Sequence, residues 1–238
     1  MKKLLEVNNV CSGYGELKVL DNVSIKVGKG EAVAIIGSNG AGKTTLLKTI
    51  AGLLIPWKGE IRYNGVEITK APPYKRVELG ISYVPCERSV FPYMTVLENL
   101  EMGCYNKRAR EKKEESLERV FQLFPMLKER KNQLAGTLSG GEQRMLALAK
   151  GLMSLPSLLM LDEPSFGLAP KVVRQFYNTL SLIKEEGISI LLVEQKAQYA
   201  LNFTERAYLL DNGKILLSGT SQEMLNNEYV RKAYLGVV

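Results

Sequence analysis

Histidine is absent from all 238 residues. That excludes a His-based triad, an imidazole shuttle and a histidine metal site. The 3 cysteines, Cys11, Cys86 and Cys104, are far apart and odd in number. Neither a zinc cluster nor a disulfide framework fits them, and a reducing compartment is expected. No uncharged apolar run reaches the roughly 20 residues that span a bilayer. Met1 to Glu6 lacks the apolar stretch of a signal peptide. A cytosolic chain is therefore expected, serving a membrane only through partners. Lys and Arg outnumber Asp and Glu by 32 to 25, for a net charge of +7. That balance suits an anionic ligand, a membrane face or nucleic acid. The basic residues are scattered rather than blocked, so no nucleic-acid arm is indicated. With 45% hydrophobic residues the chain can build one large domain, or a domain with a subdomain.

What is present centres on Gly37-Ser38-Asn39-Gly40-Ala41-Gly42-Lys43-Thr44. It follows the apolar run Ala32 to Ile36 and opens a helix-prone run, Thr45 to Leu53. Strand, glycine loop and helix are the context in which G-x-x-x-x-G-K-[ST] signifies a phosphate-binding P-loop. Gly37, Gly40 and Gly42 let backbone N–H groups turn onto β- and γ-phosphates. The helix start adds its partial positive charge. Lys43 supplies a point charge to the phosphate oxygens, and the Thr44 hydroxyl a ligand to Mg²⁺.

Around this loop the pattern is mixed. Leu5 and Val7, then Val23, Ile25 and Val27, alternate as strands. Ser12-Gly13-Tyr14-Gly15 between them is expected to be a loop. Tyr14 has two readings there, a ring stacked on a purine or a ring packed on the sheet edge. Asn64-Gly65 marks a hairpin between 60–63 and 66–68. Pro72-Pro73 starts a short helix ending at Gly80, and Ile81 to Val84 is a strand emptying into the loop Pro85-Cys86-Glu87-Arg88. From Thr95 to Leu152 the spacing is helical; Arg108 to Glu115 is a solvated charged face. Ser139 and Glu142 have capping-box spacing at the start of a helix reaching Met153. Gly140 and Gly141 in its first turn weaken the helix and leave N–H groups bare for an anion. Leu158 to Leu161 is a buried strand ending in Asp162-Glu163. Carboxylates at a strand's carboxyl end lie where an open α/β sheet holds ligands. Asp162 suits Mg²⁺, and Glu163 suits a base that polarises water. Ile188 to Val193 is a further strand, 205–219 a hairpin around Asn212-Gly213, and the tail from Ser221 is helical.

The P-loop, Leu138-Ser139-Gly140-Gly141-Glu142-Gln143 and Leu158 to Glu163, in this order, resemble the nucleotide-binding subunit of an ATP-binding-cassette (ABC) transporter over nearly the whole chain. The resemblance implies an α/β fold: a P-loop NTPase core with an antiparallel β subdomain (1–86 and 155–238) and an inserted helical subdomain (87–154). It implies ATP and Mg²⁺, with Gly37 to Thr44 and Thr45 on the phosphates and Asp162 on the metal. Glu163 becomes the catalytic glutamate and Tyr14 the adenine-stacking aromatic. Ser139, Gly140, Gly141 and Gln143 belong to the signature, which reaches the nucleotide of a second cassette.

Val193-Glu194-Gln195, Phe166 to Pro170 and Arg231 to Gly236 are similar to the smaller of two ATPases in branched-chain amino-acid uptake systems. Gly167 to Pro170 would face the other cassette. The implied partners are a second, different ATPase and two transmembrane permease subunits, with a substrate-binding protein acting indirectly and no nucleic acid. The implied place is the inner face of the cell membrane. Two positions depart from the common pattern. Gln195 stands where the switch histidine usually falls, a tendency of the branched-chain subfamily itself. Cys86 stands at the position of the loop glutamine, and a thiol is a poor Mg²⁺ ligand; Glu87 beside it is the substitute. Two other readings accompany the importer: a nucleotide-gated clamp without transport, and an ATP-binding subunit impaired in catalysis.

Overall fold

The computed structural model describes residues 2–87 and 89–235. Arg88 and Gly236, named in two of the motifs above, lie outside the described residues. The chain starts with β1 (Lys3–Tyr14) and β2 (Leu17–Gly28), then β3 (Ala32–Ile36) and α1 (Lys43–Ala51). The hairpin β4 (Lys58–Tyr63) and β5 (Val66–Glu67) turns at Asn64 and Gly65, both with positive φ, before α2 (Pro73–Glu78) and β6 (Ile81–Val84). Five α-helices follow among the described residues: α3 (Val96–Glu101), α4 (Lys107–Glu111), α5 (Lys113–Leu123), α6 (Pro125–Glu129) and α7 (Gly140–Leu152). Then come β7 (Leu158–Asp162), α8 (Pro170–Glu185), β8 (Ser189–Glu194), α9 (Ala197–Phe203), β9 (Arg206–Asp211), β10 (Lys214–Thr220), α10 (Ser221–Asn226) and α11 (Glu228–Val230).

The strands form an antiparallel sheet ordered β2-β1-β4-β5 and a larger sheet ordered β10-β9-β3-β8-β7-β6. In the larger one β9, β3, β8, β7 and β6 run parallel, and β10 closes an edge antiparallel. Its central strands are buried on both faces, so they are continuously apolar rather than alternating. The two-residue period still sorts them. Ala34, Ile36, Leu159, Leu161 and Leu192 face the core shared with α3–α9. Val33, Ile35, Met160, Leu191 and Val193 face the core shared with α1 and the antiparallel sheet.

Two sequence expectations change. Ser12 to Tyr14 is strand, not loop: β1 runs to Tyr14, which pairs with Leu17 across a turn at Gly15–Glu16. Gly13 signals close approach rather than a bend, since a Cβ there would stand 1.9 Å from the Leu17 carbonyl oxygen. The second is the helix content after β7, since neither α9 nor α8 was expected. Val173, Phe176, Leu180 and Ile183 are buried along α8 at helical spacing, and Pro170 starts it.

α1 carries the P-loop at one end, and Arg76 holds the other. This guanidinium is 1% exposed. It donates to Thr49 O and Ile50 O at 2.9 and 2.7 Å, and to Ala71 O and Thr69 O at 2.9 Å each. The last carbonyls of α1, which have no partner within the helix, are thereby satisfied by a cation on α2. Burial lowers the Arg76 pKa to about 10. Arg76→Leu removes the donor to Ile50 O, Ala71 O and Thr69 O, while Thr49 O keeps the N–H of Gly52 at 3.2 Å. A loss of about 3 kcal/mol is expected, read as a lower urea midpoint at unchanged slope.

Candidate functional site

The parallel strands β3, β8 and β7 are neighbours, and their registers pair Ile36 with Glu194 and Asp162 with Val193. Their carboxyl ends, and the residues that follow, therefore meet at one sheet edge. From β3 the glycine loop folds back under constraint. A Cβ on Gly37 would stand 2.3 Å from the Leu210 carbonyl oxygen, so only glycine lets the loop approach β9. Ala41 O accepts from Gly213 N at 3.0 Å, and the Asn212–Gly213 turn thus braces the loop from behind. Gly42 caps α1 at φ 106.

Lys43 is 4% exposed. Its Nζ donates to Gly37 O and Ser38 O, both at 2.9 Å, and pairs with Glu163 Oε1 at 3.0 Å. Glu163 has φ 45, and its N–H donates to Val193 O at 3.0 Å. The left-handed backbone, which costs about 1 kcal/mol for a side-chain-bearing residue, follows directly on the strand. Asp162 is 3% exposed and accepts from Thr44 Oγ1 at 3.0 Å and Tyr83 OH at 2.9 Å. Burial pushes its pKa up, and the bonds from Tyr83 and Thr44 oppose that shift. Thr44 and Asp162 form a pair of adjacent hard oxygens. Mg²⁺ takes one or two such protein ligands and completes its shell with phosphate and water, so the donor set fits.

These residues line an open cleft of about 780 Å³. Tyr14 lines its mouth, 43% exposed, with Lys48 Nζ 5.8 Å from the ring centroid. Asn39, Gly40, Gly42, Lys43, Thr44 and Thr45 form its floor. Gly37, Ser38 and Ala41 carry the loop's backbone behind that floor. Cys86 and Glu87 border the cleft beside Tyr83. The Cys86 thiol accepts from Arg144 at 3.8 Å, and burial pushes its pKa up. Lys48, Tyr83 and Phe166, which also line the cleft, were missed. Tyr83 was legible only as a strand residue, because its reach to Asp162 depends on how β6 pairs with β7.

Other predicted residues are not brought to this cleft within the chain. Ser139 caps α7 in the expected box: Ser139 N donates to Glu142 Oε2 at 2.8 Å, and Glu142 N to Ser139 Oγ at 3.4 Å. A Cβ on Gly141 would meet Val172 of α8 at 2.9 Å, whereas Gly140 faces open space. One glycine is thus explained by packing and the other leaves the helix start bare. Gln143 donates to Leu138 O at 3.0 Å. Gln195 is exposed just beyond β8. Among the described residues no cluster of three or more His, Cys, Asp or Glu could hold a metal by itself, and no helix is long and apolar enough to cross a membrane.

Residues 20–166 match the family model described as ABC transporter. The chain is 45% identical to the high-affinity branched-chain amino acid transport ATP-binding protein BraG of Pseudomonas aeruginosa, over 98% of this chain and 100% of that one. It is 33% identical to the lipopolysaccharide export system ATP-binding protein LptB of Haemophilus influenzae, over 98% of this chain and 97% of the relative. A crystal structure of an ABC-transporter ATP-binding cassette in its ADP conformation superposes with a TM-score of 0.85 at 30% identity, covering 99% of this chain and 100% of that one. The chain therefore belongs to the ABC transporter family and is an ATP-binding ATPase subunit.

Proposed function

We propose that the chain drives an importer of branched-chain or other hydrophobic, neutral amino acids. The observation that carries this reading is the 45% identity to BraG along essentially the whole chain. The absence of histidine supports it, since Gln195 occupies the switch position in the way the branched-chain subfamily tends to. The 33% identity to LptB favours export of a lipid-linked glycan as the second reading. Isolating the chain with its membrane subunits and measuring ATP-driven leucine uptake into vesicles separates the two. Uptake supports the first, and none, with lipopolysaccharide extraction instead, supports the second.

In this reading ATP lies with its phosphates on the N–H groups of residues 37–45 and its purine on Tyr14. Lys43, already buried against two carbonyls, contributes charge to the β- and γ-phosphate oxygens. Mg²⁺ held by Thr44 and Asp162 would neutralise phosphate charge. Glu163 accepts the proton of the attacking water, and Gln195 contributes an amide contact that cannot take up a proton. Ser139, Gly140, Gly141 and Gln143 act on the nucleotide of a second cassette, so a closed dimer is the hydrolysing form. Residues 87–154 work as the signature subdomain, and 1–86 with 155–238 as the nucleotide-holding part. The membrane subunits dock on the apolar groove lined by Val77, Pro85, Phe91, Met102 and Lys150, beside the loop after β6. The chain then sits peripherally on the inner membrane face.

Cys86 and the Gln195 amide both favour pairing with a different ATPase that retains the common residues. Glu163→Gln is expected to keep ATP affinity, lower turnover at least 100-fold and accumulate a closed dimer on gel filtration. Tyr14→Ala is expected to weaken ATP, ADP and GTP together by about 1–3 kcal/mol in calorimetry, because a ring face reads no base edge. Cys86→Gln is expected to raise steady-state turnover of the complex several-fold, by restoring an oxygen donor at the cleft wall.

A further inference from the structure

β8 is apolar from Ile190 to Val193 and ends in Glu194, whose carboxylate is 1% exposed. Burying it carries a free-energy cost unless hydrogen bonds compensate. The donors that reach it are neutral: Ser165 N at 2.9 Å, Ser165 Oγ at 2.9 Å and Tyr177 OH at 3.3 Å. Burial pushes its pKa up, with these donors opposing. Each donor leads to a different part of the machinery. Ser165 lies two residues after Glu163, in a turn where Phe166 N donates to Glu163 O at 3.1 Å and Leu168 N to Ser165 O at 3.3 Å. Tyr177 belongs to α8 and packs on α9, stacking on Tyr199 at 5.9 Å and edge-on to Phe203 at 5.6 Å. Glu194 itself immediately precedes Gln195.

We propose that Glu194 is a positioning residue for hydrolysis. Its carboxylate ties the turn carrying Glu163 to the strand end carrying Gln195, with α8 as the third anchor, so the base and the switch amide keep one relative placement. The proposal rests on Glu163 being the base. Residue chemistry accounts for the choice of side chain. Three converging donors need acceptor lone pairs, and a carboxylate offers only those. An alanine leaves the Ser165 N–H without a partner. A glutamine still accepts that N–H through its oxygen, while the Ser165 hydroxyl can rotate to accept from its amide. The nucleotide cleft is not touched, so affinity and turnover should separate.

The test is single-turnover ATP hydrolysis by the full chain assembled with its partner ATPase and membrane subunits, with fluorescent-ATP affinity and thermal melting of the variant chain alongside. Glu194→Ala is expected to lower the hydrolysis rate at least tenfold while ATP affinity stays within threefold. Glu194→Gln is expected to stay within threefold in both. Ser165→Ala should lose rate several-fold, and the Glu194→Ala/Ser165→Ala double variant should be no slower than Glu194→Ala, because both remove the same contact. A folded Glu194→Ala with wild-type rate overturns the proposal, as do multiplying losses in the double variant or a glutamine as damaging as alanine. If Glu194→Ala does not fold, Ser165→Ala and Tyr177→Phe decide: wild-type rates in both overturn it. Glu163→Gln runs alongside. Wild-type rate in that variant removes the base assignment itself, and a dead Glu163→Gln beside an unaffected Glu194→Ala removes only the positioning role.

Discussion

The contact on which the rest of the structure depends is the buried ammonium of Lys43, held by two loop carbonyls and Glu163. A charge in that position is tolerable only with its donors satisfied and a counter-charge in reach. The carbonyls of Gly37 and Ser38 face it because the loop is pressed onto β9, where Gly37 has no room for a side chain. Glu163 reaches it because β7 lies one strand from β3 and the backbone turns left-handed immediately after Asp162. Moving any of these elements by a residue would leave the ammonium uncompensated.

The same logic runs outward through buried polar groups with no use in an inert core. Asp162 takes Thr44 and Tyr83, Glu194 takes Ser165 and Tyr177, and Arg76 takes four carbonyls. Each joins segments distant in sequence, and each is satisfied with directional bonds, which favours one arrangement over a sliding apolar contact. The phosphate loop, the carboxylate turn and the strand before Gln195 are thereby fixed relative to one another. The signature at the start of α7 stays outside this lattice, with Gly140 open to solvent and only Gly141 pinned against α8. In the proposed closed dimer these groups act on another cassette's nucleotide, a role that requires an outward-facing helix start.

The departures from the common pattern fall at the cleft wall rather than in this lattice. Cys86 is engaged by Arg144 from the signature helix, so the loop after β6 and α7 are joined by a soft contact where a hard oxygen commonly stands. Glu87 borders the same cleft and keeps a carboxylate in reach. The chain holds no imidazole, and in the proposed mechanism proton acceptance falls to the carboxylate of Glu163, which pairs with Lys43.

The sequence by itself determined what is local. Glycine spacing, the Ser139–Glu142 box, the Asn64–Gly65 and Asn212–Gly213 turns and the apolar strands all follow from backbone freedom, capping and burial acting within a few residues. The order of the motifs was sufficient for the family. It misjudged Ser12 to Tyr14, because a glycine that admits a neighbouring strand looks like one that makes a bend. It passed over α8, although the spacing of Val173, Phe176, Leu180 and Ile183 was there to find. Only the tertiary structure decided that β3, β8 and β7 are neighbours in register, and hence that Lys43 meets Glu163, Thr44 meets Asp162, Tyr83 completes that carboxylate, and Glu194 binds Ser165. Those partners are 29 to 120 residues apart; strand order and register, set by packing the two cores on opposite faces of one sheet, are what bring them within hydrogen-bond distance.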